Sequence, residues 1–134
     1  MMDAPVTDAF AAWPQWRRDE LAANGENGHV GTRLVAETAR GRVWHLTLQP
    51  GERLPFHRHV LDYFWTVTSP GGGRGRSHYG DGRIVEVEYA EGDTRHMFFA
   101  AGESMIHDLE NTGSAPLSFV TVEYLPGANA PLAL

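Results

Sequence analysis

From Val30 onward the chain breaks into short runs of β-branched and aromatic residues, each cut off within a few positions by glycine or proline. TRLVAET, RVWHLTL, YFWTVT, GRSHY, RIVEVEY, TRHMFFA and LSFVTVEYL follow one another in this way. In RIVEVEY, Val85, Val87 and Tyr89 alternate with Glu86 and Glu88. In RVWHLTL, Trp44, Leu46 and Leu48 share one face, and Val43, His45 and Thr47 the other. A period of two marks a strand with one buried face. No segment between the runs is long or periodic enough for a crossover helix, which argues against a parallel α/β sheet. Seven or eight short strands predict an all-β sandwich or barrel.

The first 29 residues follow another pattern. PQWRRDELAANG has good helix formers after Pro14 and a stop at Gly25, predicting one short helix with Trp16 and Leu21 on its apolar side. Trp13 and Trp16 are expected to dock this arm on the barrel or on a second subunit. The chain thus divides into an arm over 1–29 and a β-barrel domain over 30–134. The tail PGANAPLAL is too proline-rich for a central strand and is expected to run extended along an edge.

Composition removes several classes of function. None of the 134 residues is cysteine, so disulfides, thiolate nucleophiles and thiolate metal ligands are excluded. All 11 basic residues are arginine, which excludes a lysine Schiff base and the lysine of a phosphate-binding loop. A net charge of −6 disfavours a nucleic-acid partner. The segment SPGGGRGRSHYG therefore reads as a glycine-rich hairpin loop. No apolar run approaches the roughly 18 residues of a membrane span, and MMDAPVTDAFAAWPQW lacks the layout of a secretory signal. A cytoplasmic protein with no membrane partner is expected, and a symmetric homodimer is the expected assembly.

The chemistry concentrates in GERLPFHRHVLDYFW. If this stretch is one strand running on through Val67, alternation puts His57 and His59 on one face with Leu61, Tyr63 and Trp65. Phe56, Arg58, Val60 and Asp62 take the other face. Imidazoles at i and i+2, about 7 Å apart at Cβ, can converge on one ion. A specific site needs at least a third ligand. Its best source is GESMIHDLENTG, where His107 is expected in a tight, glycine-flanked turn with Asn111 as a turn former.

Gly51, five residues, His57, one residue and His59 resemble the first half of cupin motif one. His107, with Asn111 four residues on, resembles the end of motif two. Gly71 to Gly92 corresponds to the variable hairpin between the motifs, and the resemblance covers Val30 to Leu125. It implies a cupin-type double-stranded β-helix, a jelly-roll barrel with a metal held inside by the motif histidines and a glutamate. The chain is similar to small RmlC-like cupins with an H-R-H-x-x-D-Y pattern. It departs from the family where the glutamate belongs, since Tyr63 and Phe64 occupy the expected positions. The motif-two proline is also absent.

Three ligand models remain open: His57, His59 and His107 alone; the same three with Asp62 as a fourth ligand or as an acceptor that orients a histidine; or no metal. A three-histidine centre takes a divalent transition metal such as iron, zinc, nickel, copper or manganese, without choosing among them. Tyr63 is the candidate catalytic group, donating to a metal-bound ligand or acting as an acid. Arg42, Arg58 and Arg95 are candidates to receive a substrate carboxylate. His45 and His96 either line the interior or form hydrogen bonds along their strands, with His96 the substitute ligand. His29 and His78 are expected in solvated loops. Two classes of function follow. One is a metal-dependent enzyme of dioxygenase, decarboxylase or isomerase type on a small metabolite. The other is a non-catalytic binding barrel, or a metal-free isomerase or epimerase using histidine with Asp62 or Tyr63.

Overall fold

The computed structural model describes residues 9–134. The first eight residues of the arm, and the part of the signal-peptide reading that depends on them, lie outside the described residues. Helix α1 (Gln15–Ala23) is followed by β1 (Arg33–Thr38), β2 (Gly41–Leu48), β3 (Arg53–His59), β4 (Tyr63–Val67) and β5 (Gly73–His78). Then come β6 (Ile84–Tyr89), β7 (Thr94–Met97), β8 (Met105–Asn111) and β9 (Leu117–Tyr124). One sheet has the order β1-β2-β9-β4-β7 and the other β3-β8-β5-β6, with every pairing antiparallel. After β2 most connections cross between sheets, which rolls the chain into a jelly-roll barrel. No described helix is long and apolar enough to cross a membrane.

The inner face is layered along the barrel. Leu48 pairs with Leu117 and Leu46 with Phe119, while Leu54 faces Leu109 across β3 and β8. These residues and Val67 close one end as an apolar core. Moving along the same strands, the layers become polar: Trp65 and Thr121, then His57 opposite His107, then Tyr63 opposite Glu123. Between the sheets at this end lies a cavity of about 440 Å³.

Two sequence expectations change. GERLPFHRHVLDYFW is not one strand: β3 ends at His59, and residues 60–62 carry the chain to the opposite sheet before β4 begins. His107 lies in the middle of strand β8 rather than in a turn. The strand read in GRSHY is present as β5 and starts two residues earlier, at Gly73, where Gly73 and Gly75 leave room for Leu117 and Leu109 of the core. In keeping with its prolines, the tail forms no strand. Instead the Asn129 amide donates to the carbonyls of Val60 and Ala100, and Arg42 donates to the Leu132 carbonyl.

Helix α1 forms as expected, but it buries none of its residues, and Trp16 is 49% exposed. The anchor is Trp13, just ahead of the helix and buried. It stacks on Phe56 at 5.8 Å and meets His78 edge-on at 5.4 Å. The reason lies in β3, which turns Phe56 outward against the arm.

Candidate metal centre

Between Leu54 and His57, three residue steps of β3 face two of β8: Leu54 lies opposite Leu109, and His57 opposite His107. One extra residue is therefore accommodated at Pro55–Phe56 as a bulge. Strict alternation would put Leu54 and His57 on opposite faces. With the bulge, Leu54 enters the core while His57 and His59 also point inward, and Phe56 points out to Trp13. Proline suits this position because it has no N–H to leave unpaired.

A bulge frees backbone groups, and the arm satisfies them. The Phe56 N–H donates to Glu20 Oε2 at 3.2 Å, and the Phe56 carbonyl accepts from the side-chain amides of Asn24 and Asn27 at 3.0 and 2.8 Å. The Arg58 N–H donates to the Asn27 carbonyl at 2.7 Å. Glu20 in turn holds Arg53 through both carboxylate oxygens, at 2.9 and 2.7 Å. This salt bridge lowers the Glu20 pKa, by the Arg53 hydrogen bond first of all.

His57, His59 and His107 come together from neighbouring strands, each offering one nitrogen within 4.8 Å of the others. His57 Nδ1 lies 2.8 Å from the Pro55 carbonyl, which fixes Nδ1–H as the donor and leaves Nε2 with its lone pair. Nε2 of His59 and Nε2 of His107 stand 3.2 Å apart. Nδ1 of each is buried without a partner, so nothing outside the cluster fixes either ring's tautomer. Burial pushes the His57 pKa down to about 4, and burial with the neighbouring rings pushes His59 and His107 well below the usual histidine range. All three rings are neutral at pH 7, the state a metal ligand requires.

This donor set fits a cation. Two imidazole nitrogens each about 2.0–2.1 Å from one ion stand about 3 Å apart, close to the separation of the His59 and His107 Nε2 atoms. Two buried imidazoles and a half-buried third, with little hydrogen bonding, are costly to desolvate, and a shared cation offsets that cost.

The other candidates fall out differently. Asp62 is not part of the cluster: its Oδ1 accepts the Phe99 N–H at 2.7 Å, and its carbonyl accepts the Tyr124 N–H. It serves the crossing from β3 to β4. Tyr63 is buried and lines the cavity, stacked on His59 at 4.1 Å with 14° between the ring planes. Burial raises its pKa, so the phenol is a neutral donor. Asn111 organises the turn after β8, its amide donating to the Leu48 and Ala115 carbonyls and its oxygen accepting the Gly113 N–H. Of the three arginines, Arg42 is spent on Glu37 and Leu132, and Arg58 on Gly25 and Ser104. Arg95 lines the cavity.

His45 and His96 are exposed on the outside of their sheet, as is His29 in its loop, so His96 is no substitute ligand. His78 overturns the expectation of a solvated loop. It is 3% exposed, with Nδ1 3.0 Å from Oδ1 of the fully buried Asp108, whose other oxygen accepts from Arg53 at 2.8 Å. Asp108 is one residue from His107, so alternation along β8 turns it out of the barrel toward the arm. This His78–Asp108–Arg53–Glu20 chain was hidden in the sequence because its members lie on four separate elements. Tyr79, with its ring 5.3 Å from that of His107, was likewise missed.

Comparison with solved structures agrees with the architecture. A cupin domain from Bordetella pertussis Tohama I superposes with a TM-score of 0.59 at 21% identity, covering 69% of this chain and 88% of that one. The fold is that of a cupin. A Klebsiella pneumoniae protein described as having a double-stranded β-helix domain matches at 0.54 and 26% identity, over 75% and 82% of the two chains. An RmlC-like cupin family protein from Methanocaldococcus jannaschii matches at 0.54 and 18%, over 69% and 76%. No protein-family model and no curated protein matches the sequence. Within this cupin fold the three histidines lie inside the barrel, at the polar end of its cavity.

Proposed function

We propose that this cupin barrel holds one divalent transition metal on His57, His59 and His107 and acts with it on a small molecule admitted to the cavity. The observation that carries this reading is the cluster itself: three neutral, inward imidazoles within ligand distance of one another, on the wall of a cavity of about 440 Å³. Imidazole ligands accept iron, zinc, nickel, copper or manganese. When bound, such an ion supplies Lewis-acid polarisation of a substrate oxygen or activation of a bound water.

The chain's own residues have definable tasks. The Pro55 carbonyl orients the His57 ring. Tyr63 braces His59 by stacking, and its neutral hydroxyl is available to donate to substrate. The cavity volume suits a small metabolite, and the walls from Trp65 to Phe119 exclude water from its apolar part. The metal-free relay is weaker, because Asp62 is committed to the Phe99 N–H and, among the described residues, no carboxylate is hydrogen-bonded to any of the three rings.

Protein purified without a chelating tag is expected to carry or take up close to one metal per chain, read by elemental analysis after incubation with iron(II), manganese(II), nickel(II), copper(II) and zinc(II) in turn. The His57→Ala, His59→Ala double variant is expected to lose it while keeping its β-sheet circular dichroism. Wild-type protein that binds none of these ions above the level of the double variant would refute the reading.

A further inference from the structure

The cavity wall carries an unbalanced charge. Among the described residues no aspartate or glutamate lines it, although acidic residues outnumber basic ones in the chain, 17 to 11. Its ionisable lining groups other than the three neutral histidines are tyrosines and two arginines, Arg83 and Arg95. Arg83 is already engaged, bridged to Asp81 at 2.7 Å and stacked over Tyr79 at 4.7 Å. The Arg95 guanidinium has no hydrogen-bond or ion-pair partner among the described residues. Buried Glu123 offers it none, since that carboxyl is taken by the Trp44 indole N–H at 2.7 Å.

Arg95 is placed to meet something entering the barrel. It sits on β7, the edge of the five-stranded sheet, and with Met97 it faces the cavity, while His96 between them packs outside on Phe64. The opposite edge is β6, and the two edges are not hydrogen-bonded to each other. Exposed lining residues fall on or beside these edges, at Arg83, Val87 and Arg95, whereas His57, His59 and Tyr63 are buried. Among the described residues the opening therefore runs between β6 and β7. Arg95 stands on its rim, and its field reaches the hydroxyls of both Tyr63 and Tyr89 inside. Between rim and histidines the wall is mostly apolar and aromatic, with Trp65, Met97, Leu109 and Phe119.

We propose that Arg95 is the anion-recognising residue of this cavity and that its ligand is a small monocarboxylate with an apolar or aromatic body. A planar guanidinium with free N–H groups matches a carboxylate through two parallel charge-assisted hydrogen bonds. One unpaired arginine balances one negative charge, which favours a carboxylate over a phosphate dianion. Among the described residues no acidic wall group repels such a ligand. The inference rests on the proposed function only in taking the cavity as a small-molecule site. It does not need the metal.

The test compares matched pairs, benzoate with benzamide, 3-phenylpropionate with its amide, and hexanoate with hexanamide, by calorimetry and ligand-observed NMR. Each is run on metal-loaded and on EDTA-stripped protein, with elemental analysis alongside. At least one carboxylate is expected to bind more tightly than its amide in both forms. Arg95→Met is expected to weaken it roughly tenfold to a hundredfold, the range for losing hydrogen bonds to a charged group. Arg95→Lys should recover part of the loss, and the exposed Arg74→Met should change nothing. The metal content of Arg95→Met should equal that of wild type, and circular dichroism checks its fold. The proposal is overturned if no carboxylate outbinds its amide, if inorganic phosphate competes better than the carboxylates, or if the preference survives in Arg95→Met. A preference that vanishes on stripping but ignores Arg95→Met would place the carboxylate at the metal instead. A protein that binds no metal yet keeps an Arg95-dependent preference would refute the metal centre and leave this inference standing.

Discussion

Glu123 shows how much one inward carboxyl matters in such a barrel. It is 3% exposed, and burial raises its pKa despite the Trp44 indole N–H donated to it and the field of Arg42. With the folded pKa above the unfolded value, the folded state keeps a proton that the unfolded state has lost. Stability therefore falls as pH rises from the unfolded pKa through the folded one, and the cost is constant above that. Glu123→Gln keeps an acceptor for Trp44 and removes the charge. We expect the variant to be more stable than wild type at pH 8 and to lose that advantage at pH 4, read as urea midpoints at both pH values. An equal gain at both would mean that packing, not ionisation, sets the difference. The histidines carry the same lesson: His78 and His29 look alike in sequence, yet one is buried on Asp108 and the other is exposed.

At the scale of elements, the bulge in β3 and helix α1 form one device. The helix has no buried residue of its own, so its attachment depends on polar contacts with the bulge, on Trp16 against the Arg53 guanidinium at 5.0 Å, and on Trp13 against Phe56. The bulge depends on the helix, since its freed N–H and carbonyl would otherwise go unpaired. Glu20→Ala removes the acceptor of the Phe56 N–H and both bonds to Arg53. A loss of about 1–3 kcal/mol is expected, the range for stranding buried polar groups. Because the same bulge aims His57, the metal affinity of the proposed centre should fall as well, although Glu20 lies outside the barrel. Calorimetric metal titration of Glu20→Ala checks this, with Asp19→Ala, on the exposed side of the helix, as the control. Normal affinity in Glu20→Ala would show that the bulge holds its shape without the arm.

At the scale of the whole molecule, Asp108 ties the parts together. It is fully buried and accepts from the His78 N–H at 2.6 Å and from Arg53 at 2.8 Å, and it lies near His78 Nδ1. Through Arg53 and Glu20 the chain of contacts reaches the helix, so one carboxylate joins β8, β5, β3 and α1. Removing one member of a buried ion pair strands the others, which typically costs about 3–5 kcal/mol. Asp108→Ala is expected to lose stability on that scale with an unchanged urea dependence, and Asp108→Asn to lose less, because it can still accept from the His78 N–H. Variants of Asp108 as stable as wild type would show that the apolar contacts of Trp13 and Phe56 suffice to hold the arm.

The sequence by itself determined the barrel and most of the cluster. Alternation within RVWHLTL, YFWTVT and LSFVTVEYL is a local property, and it assigns inner and outer faces wherever a strand is regular. Two histidines at i and i+2 of a regular strand must share a face, and a chain without cysteine has to complete a site with another imidazole or a carboxylate. Tertiary structure decided what depends on pairing between distant strands. The inward direction of His57 relative to Leu54 follows from one extra residue at Pro55–Phe56, visible only against β8. The break after His59 sends Tyr63 to the other sheet, where it stacks back on His59 and leaves Asp62 to the crossing. His78 meets Asp108, and Arg95 goes unpaired, for the same reason. Local alternation sets a side chain's face only until a bulge or a crossing resets it, and those resets come from strand partners far away in the chain.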